Sequence, residues 1–350
     1  MLRSFMIFML RAVMISAAVV VVIIVAVGYG ALLYMTSVPG EPHRGSLPAL
    51  TEAEAALAAV LRRHVETIAA REHNLHHPDE LEKVARYIEG VLESYGYTVG
   101  RQTFEVDDRP VRNIDVTIEP AGNSPDPEVI VIGAHYDSVT GSPGANDNAT
   151  GAAAVLEFAR LLADLAGKSG RRIRLVLFVN EEPPYFQTED MGSLHYADAL
   201  AARGERVVAM YSLETIGFYS DAPGSQHYPA PFGLIYPDRG DFVAFVGLLN
   251  SRPLVQETIR SFRAHTAFPS VGGVAPSIIP GIGWSDHWAF VEHGFQAVMI
   301  TDTAVFRYPH YHLSTDTPDK VDFDKLARVV KGIERVIREL ARRPREGGDP

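Results

Sequence analysis

The chain has 350 residues, of which 47% are hydrophobic and 21% charged, a composition typical of globular proteins and unlike that of disordered or collagen-like chains. Lys and Arg number 32 against 43 Asp and Glu, and a formal charge of −11 without a basic block argues against a nucleic-acid-binding protein. Because the chain has no Cys, disulfides, thiolate metal ligands and thiol nucleophiles are excluded. Any bound metal must therefore be held by His, Asp and Glu.

An uncharged apolar segment at residues 12–35 predicts a transmembrane helix. Its 24 residues would rise about 36 Å as a helix, which exceeds the hydrocarbon core of about 30 Å. Two positively charged residues, Arg3 and Arg11, precede the segment, whereas the opposite charges of Glu41 and Arg44 after it cancel. The positive-inside rule predicts a single-pass protein of the cytoplasmic (inner) membrane, with residues 1–35 as cytoplasmic N-terminus and anchor and the remainder on the outer, periplasmic side. Secretion after cleavage of a signal peptide is the alternative.

The rest of the chain is predicted to be one α/β domain at residues 51–343, after a Pro- and Gly-rich linker at 36–50 and before a disordered tail at 344–350. A capping box of Thr51 and Glu54 predicts a helix that ends near residue 70. Pro78 predicts the start of a second helix, which stops at Gly96.

Apolar runs at 128–133 and 173–179 are typical of central strands, and a predicted helix at 149–166 separates them. This order indicates a parallel strand–helix–strand unit. Further strands are expected at 111–119, 207–213 and 295–301, and a final helix at 322–342. In such sheets, ligands bind at the C-terminal ends of the strands.

Acids and histidines follow these predicted strand ends. His135 and Asp137 come directly after the first central strand and are two residues apart, so they face the same way on an extended segment. His135 is placed to bind a metal, and the Asp137 carboxylate is expected to hold the other imidazole nitrogen. Asp147 precedes the next helix, where it is either the N-cap or a carboxylate presented to a cation.

Further along the chain, the adjacent carboxylates of Glu181 and Glu182 end the next strand, where they repel each other unless a cation lies between them. Glu214 ends another strand, and His310 and His312 are alternative late ligands. Imidazole and carboxylate ligands suit Zn²⁺, and also Mn²⁺ or Co²⁺. The excess of acids suggests a two-metal site with one bridging acid and one free to act as a base.

These motifs together resemble the zinc exopeptidases of clan MH. The matching segments are GAHYDS, GANDNATG, NEEPP, LETIG and YHLSTDT, in the family's order, within residues 80–340. That family includes bacterial secreted leucyl aminopeptidases, glutamate carboxypeptidases, glutaminyl cyclases and the transferrin receptor ectodomain. The resemblance implies a three-layer α/β/α fold with a mixed, mostly parallel central sheet and a pair of metal ions.

The resemblance also implies a role for each matching residue. His135 and Glu214 would ligate one zinc, Glu182 and His312 the other, and Asp147 would bridge both. Glu181 would be the general base, taking a proton from the metal-bridging water, and Asp137 would support His135. One departure concerns Glu214, where the aminopeptidases usually have Asp; the longer side chain leaves open whether one or two metals bind.

Six further residues are expected near the substrate. The segment from Trp284 to Trp288 matches a family feature beside the substrate pocket, and its alternative interpretation is a helix N-terminus. Aromatic residues that closely follow the site acids are also expected to line the pocket. The predicted substrate-binding residues are Tyr185, Phe218, Trp284, Ser285, Asp286 and His287.

The resulting hypothesis is a membrane-anchored dizinc aminopeptidase acting on peptides with a free N-terminus. A carboxypeptidase or dipeptidase of the same fold would need a cation for the substrate carboxylate, for which Arg239, Arg263 and Arg307 are candidates. A glutaminyl cyclase-like transferase would use one zinc. A binding ectodomain without catalysis is the last alternative.

Overall fold

The computed structural model describes residues 2–122 and 126–342, so the predicted tail at 344–350 lies outside the described residues. Two compact units divide the chain, Met1–Ser37 and Val38–Pro350. The first consists of helix α1 (Leu2–Thr36). Within it, Phe5–Thr36 is long and apolar enough to cross a membrane, as is also true of a signal sequence.

Seven α-helices are described in the second unit. They are α2 (Glu52–Ile68), α3 (Pro78–Ser94), α4 (Thr150–Leu162), α5 (Gly192–Ala202), α6 (Arg252–His265), α7 (His287–Glu292) and α8 (Phe323–Arg342). The predicted capping box is confirmed, because the Thr51 side chain accepts the Glu54 N–H while the Glu54 carboxylate accepts the Thr51 N–H. Helix α4 is shorter than predicted, because a π-type turn precedes it and a 3₁₀ turn follows it.

A single sheet of eight strands forms the centre of the unit, in the order β1-β2-β4-β3-β5-β8-β6-β7. The strands are β1 (Gly100–Val106), β2 (Arg109–Ile118), β3 (Val129–His135), β4 (Arg172–Phe178), β5 (Val207–Glu214), β6 (Val243–Leu248), β7 (Ser270–Ala275) and β8 (Ala297–Thr301). The central strands β4, β3, β5 and β8 pair in parallel. Their carboxyl ends therefore meet at one edge, and the predicted mixed, mainly parallel sheet is confirmed.

Helices cover the two faces of the sheet unequally. Alternate residues of β3 enter two different apolar clusters, because successive side chains of a strand point to opposite faces. The larger cluster includes residues of α2, α3, α4, α6 and α8, whereas the smaller one includes residues of α5 and α7. Helices therefore lie on both faces of the sheet, as the three-layer prediction requires. On the face covered by α5 and α7, loops cover the remaining part of the sheet.

Residues of the predicted linker pack against the rest of the second unit. Val38 and Leu47 pack against the larger apolar cluster. The Arg263 guanidinium donates a hydrogen bond of 2.9 Å to the carbonyl of Pro39, and Arg328 donates one to the carbonyl of Pro48. We call residues 38–48 the strap.

Candidate metal centre and apolar cavity

The candidate metal centre lies at the carboxyl edge of the parallel strands. His135 is the last residue of β3 and Glu214 the last residue of β5, while Glu181 and Glu182 follow β4. Asp147 lies in the turn before α4, with non-helical backbone angles, and its peptide bond to Asn148 is cis. The cap position of α4 is Ala149, so Asp147 does not cap the helix.

Asp147 belongs to two groups of potential metal ligands. One group is His135, Asp147 and Glu214, the other Asp147, Glu182 and His312, and within each group the ligand atoms lie within 4.8 Å of one another. The Nε2 atom of His135 is 3.4 Å from both Asp147 Oδ1 and Glu214 Oε2. The Nε2 atom of His312 is 3.2 Å from both Asp147 Oδ2 and Glu182 Oε2. His310, the alternative ligand, instead contacts Thr315 Oγ1 at 2.8 Å.

This geometry fits metal ions better than hydrogen bonds. Ligand nitrogen and oxygen atoms around a tetrahedral zinc lie about 3.3 Å apart, close to the observed separations. Among the candidate ligands, four buried atoms have no hydrogen-bond partner, which is costly unless another group binds them. They are His135 Nε2, Asp147 Oδ2, Glu182 Oε1 and His312 Nε2.

The buried acids perturb one another electrostatically. Burial raises the pKa of Glu182 to about 8, aided by the charge of Asp147. Burial also raises the pKa of Glu181, and the Glu214 and Glu182 carboxylates add to this effect against the opposing influence of His135. Such a cluster is stable when positive charge is bound within it.

Asp137 supports the centre differently from the sequence expectation. His135 Nδ1 lies 3.1 Å from the Asp137 backbone carbonyl, whereas its distance to the Asp137 carboxylate is 3.6 Å. The two carboxylate oxygens of Asp137 accept the backbone N–H groups of Glu181 and Glu182, each at 3.2 Å. Asp137 therefore positions both the histidine and the pair of glutamates.

The predicted substrate residues fall in several places. Trp284 lines a cavity beside the centre. Tyr185 lines a second, smaller cleft that Asp137 and Glu182 also line, and it donates a hydrogen bond to Asp107. Phe218 is half-buried, with its ring 4.8 Å from that of Tyr308.

The segment 285–287 is buried and contacts the candidate centre through Ser285. Ser285 donates a hydrogen bond of 2.8 Å to Glu214 Oε2, so it orients a potential ligand. Asp286 is buried, and both its oxygens lack a hydrogen-bond partner. His287 Nε2 contacts the Ile282 carbonyl, and burial lowers the pKa of His287 to about 4. Although Asp286 is at the N-cap position of α7, its side chain makes no capping bond.

The cavity beside the centre is bordered by Glu214 and Tyr311. It lies on the face of β6 and β7 opposite α6, where Ala244, Val246 and Val271 point into it. Loops close the cavity, and Trp284 is the residue of these loops that the sequence analysis predicted. Their lining residues include Tyr228, Phe232, Tyr236, Ile282, Val305 and Phe306. Tyr311 is the first residue of the YHLSTDT segment and directly precedes His312. Its position next to a predicted metal ligand could have identified it as a residue of the cavity.

The model of "Peptidase family M28" matches residues 113–337. The chain belongs to this family. The predicted resemblance to the zinc exopeptidases and the prediction of a zinc-dependent peptidase are thereby confirmed at the level of the family.

Among relatives, "Uncharacterized protein YfbL" of Escherichia coli (strain K12) is 41% identical over 265 residues, covering 73% of this chain and 79% of that protein. "Probable leucine aminopeptidase 1" of Trichophyton verrucosum is 26% identical over 229 residues, covering 62% of this chain and 55% of the relative.

Solved structures show the same fold. The aminopeptidase from Aneurinibacillus sp. strain AM-1 aligns with a TM-score of 0.64 at 18% identity, covering 85% of this chain and 97% of that one. Fimbriiglobus ruber glutaminyl cyclase aligns with a TM-score of 0.60 at 21% identity, covering 86% and 99%. At these identities the similarity establishes the architecture of this M28 chain, while its reaction must be argued from its own site.

Proposed function

We propose that this M28 protein is a membrane-anchored aminopeptidase that holds two zinc ions and releases N-terminal residues from peptides. The observation that carries the proposal is the pair of ligand groups sharing Asp147, with the buried carboxylate of Glu181 beside them. Glu181 Oε2 lies 3.8 Å from His135 Nε2, so the base and the ligands occupy one pocket. Related aminopeptidases of the same fold support the assignment.

The residues named above would hold the ions. His135 and Glu214 would bind one zinc, Glu182 and His312 the other, and Asp147 both. When bound, zinc lowers the pKa of water and polarises the carbonyl group of the substrate. Mn²⁺ and Co²⁺ are alternative ions, because imidazole and carboxylate ligands accept them too.

Glu181 would act as the general base. Its carboxylate takes a proton from the attacking water as the oxygen joins the peptide carbonyl carbon. It returns that proton to the amide nitrogen as the carbon–nitrogen bond breaks, so the products are an amino acid and a shortened peptide. Burial raises the pKa of Glu181 above its ordinary value, which makes its carboxylate a stronger base. Asp137 holds Glu181 in place through the backbone contact described above.

The cavity supports selection of an apolar N-terminal residue. No Lys or Arg is among the described residues that line it, so a substrate carboxylate would find no cation there. Arg307 is buried and donates hydrogen bonds to Gln226 and to the carbonyl of Phe242, while Arg263 holds the strap. Arg239 is exposed on a loop. These positions favour an aminopeptidase over a carboxypeptidase or dipeptidase.

Zinc titration of the full chain in detergent tests the proposal. The metal-free protein would be assayed with leucine anilide, N-acetyl-leucine anilide and a Gln-terminated peptide. We expect hydrolysis of the free-amine anilide to reach its maximum near two zinc ions per chain, with no cleavage of the acetylated one. One zinc per chain with cyclisation of the Gln peptide would support a glutaminyl cyclase-like enzyme instead. Zinc binding without turnover of any substrate would support a binding ectodomain.

Helix α1 supports placement of the enzyme on the outer face of the cytoplasmic membrane. The Arg residues at positions 3 and 11 precede the apolar segment, which favours an N-terminus inside. Protease protection of spheroplasts tests the orientation, because an outward-facing domain is digested without lysis. Detection of a chain that lacks residues 1–36 in the soluble fraction would instead support cleavage of a signal peptide.

A further inference from the structure

The strap fixes the start of the second unit beside one edge of the sheet. Arg263 binds the Pro39 carbonyl and also donates a hydrogen bond of 2.9 Å to the carbonyl of Ser270, the first residue of β7. Two residues further along β7, the Gly272 carbonyl accepts a hydrogen bond of 2.9 Å from the Tyr236 hydroxyl. Tyr236 borders the apolar cavity. A short series of contacts thus connects the strap to the cavity wall.

The loops around the cavity carry exposed apolar side chains. Among the described residues after the strap, the two most exposed large apolar side chains are Leu234, 84% exposed, and Ile278, 83% exposed. Leu234 lies between the cavity-lining residues Phe232 and Tyr236, and Ile278 precedes the lining segment that starts at Pro280. Trp284, 45% exposed, borders the same cavity. Large exposed apolar side chains around one cavity indicate a surface that binds a protein, a membrane or an apolar ligand.

We propose that the loops 231–236 and 276–284 insert into the lipid bilayer that holds α1, so that the cavity opens at the membrane surface. This proposal rests on the membrane anchoring proposed above. Thr36 ends α1 and Pro39 is already bound by Arg263, so only two residues lie between the helix and the strap contact, and the three Cα-to-Cα steps span at most about 11 Å. Within this proposal, a tether this short limits how far Pro39 can lie from the membrane end of α1.

The expected substrate follows from this placement. The cavity leads from the exposed loops to Glu214 at the candidate metal centre, and its walls are apolar. A peptide that is itself adsorbed to the membrane, with an apolar N-terminal residue, would reach the centre without leaving the bilayer surface. The substrate class is therefore a membrane-associated peptide with a free amine.

Lipid contact of single labelled positions tests the proposal in the full chain. Because the protein has no Cys, Leu234→Cys or Ile278→Cys provides a single site for a bimane fluorophore. Lys168→Cys is the matched control, because Lys168 is exposed on the loop between α4 and β4. In phosphatidylcholine and phosphatidylglycerol vesicles containing doxyl-labelled lipid, we expect at least threefold stronger quenching at positions 234 and 278 than at 168. Equal quenching at the three positions overturns the proposal.

Two further measurements separate the possible failures. Flotation with the vesicles tests anchoring, and a chain that stays in the soluble fraction overturns both the anchoring and this proposal. Hydrolysis of soluble leucine anilide tests the aminopeptidase assignment independently of lipid. The double variant Leu234→Ser/Ile278→Ser should keep that hydrolysis and its thermal unfolding midpoint. On a peptide with a membrane-inserted C-terminal segment, it should be at least fivefold slower than the parent chain, and an unchanged rate there contradicts the proposal.

Discussion

The Asp316 carboxylate holds the backbone of Asp147 in place. Its Oδ2 atom accepts the Asp147 N–H at 3.1 Å and its Oδ1 atom accepts the Asn146 N–H at 2.8 Å. Asp147 belongs to both ligand groups, and Asp316 follows His312 by four residues. One buried aspartate thus fixes the ligand common to both candidate metal positions relative to a ligand of the second.

Replacing Asp316 by Asn is expected to weaken zinc binding by about 10- to 100-fold without unfolding the protein, because the groups that orient metal ligands have effects of this size. Competition with a fluorescent zinc chelator measures the affinity. Asp319→Asn is the control, since Asp319 is exposed and lies three residues away. Equal affinities for the two variants would show that Asp316 does not position Asp147.

Metal content should depend on which ligand is removed. Glu214→Ala is expected to leave about one zinc per chain, as is Glu182→Ala, because each residue belongs to one group. Asp147→Ala should lose both ions, because Asp147 belongs to both. Atomic absorption after gel filtration measures the content. If Glu214→Ala kept the full content of a two-zinc parent, Glu214 would not be a ligand.

Glu181→Gln is expected to lower kcat by about 10²- to 10⁴-fold, the range that general acid–base catalysis supplies, while zinc content stays unchanged. The amide has nearly the shape of the carboxylate but accepts no proton. Steady-state kinetics on leucine anilide and metal analysis of the same sample check both parts. Activity near that of the parent chain would falsify the assigned role.

Filling the cavity should change substrate preference. Val271 lines the cavity and is half-buried, so Val271→Phe reduces the space for a substrate side chain. We expect kcat/KM to fall at least tenfold for phenylalanine anilide and by less than threefold for alanine anilide. Leu249→Phe is a control at an exposed position outside the cavity. A uniform loss on both substrates would place the substrate side chain elsewhere.

Buried Glu157 should stabilise the fold in a pH-dependent way. Burial opposes its ionisation, but His64, Arg160 and Tyr95 contact its carboxylate and hold its pKa at about 2. Because the unfolded-state pKa is higher, ionised Glu157 favours the folded state by about 3 kcal/mol at neutral pH. This stabilisation is complete above about pH 4.5 and is lost as the pH falls towards 2.

Urea unfolding of Glu157→Gln measures this contribution. At pH 7, the variant should be less stable than the parent, and the difference should shrink between pH 4.5 and 3. Glu66→Gln is the control, because Glu66 is half-exposed and its separation from Arg62 is 3.9 Å. A stability difference that does not change with pH would show that ionisation of Glu157 is not its source.

Sequence patterns were most informative where burial imposed a regular pattern. The apolar runs of β3 and β4 are covered on both sides, and the Thr51 capping box is a local signal. Strand β7, in contrast, contains two adjacent glycines, which have low strand propensity, and it is assigned by pairing with β6. Tertiary pairing decides such an edge strand, so the sequence did not reveal it.

The residues of the candidate centre could likewise be predicted from a regular pattern. Acids at strand ends are visible in the sequence, and the parallel sheet brings them to one edge. The sequence did not reveal the cavity, because in the described part of the chain loops rather than a helix cover the outer face of β6 and β7. The packing of the strap was not visible in the sequence, since Pro and Gly indicate a lack of helix or strand but do not show whether a segment packs.

The order of the strands has a consequence for biosynthesis. Strand β8, late in the chain, inserts between β5 and β6, and the second ligand group is complete only when His312 has been added. A nascent chain that ends before residue 312 therefore carries the first ligand group without an assembled second one. Under the proposed function, a product that terminates before residue 312 is expected to lack the second zinc ion and the activity.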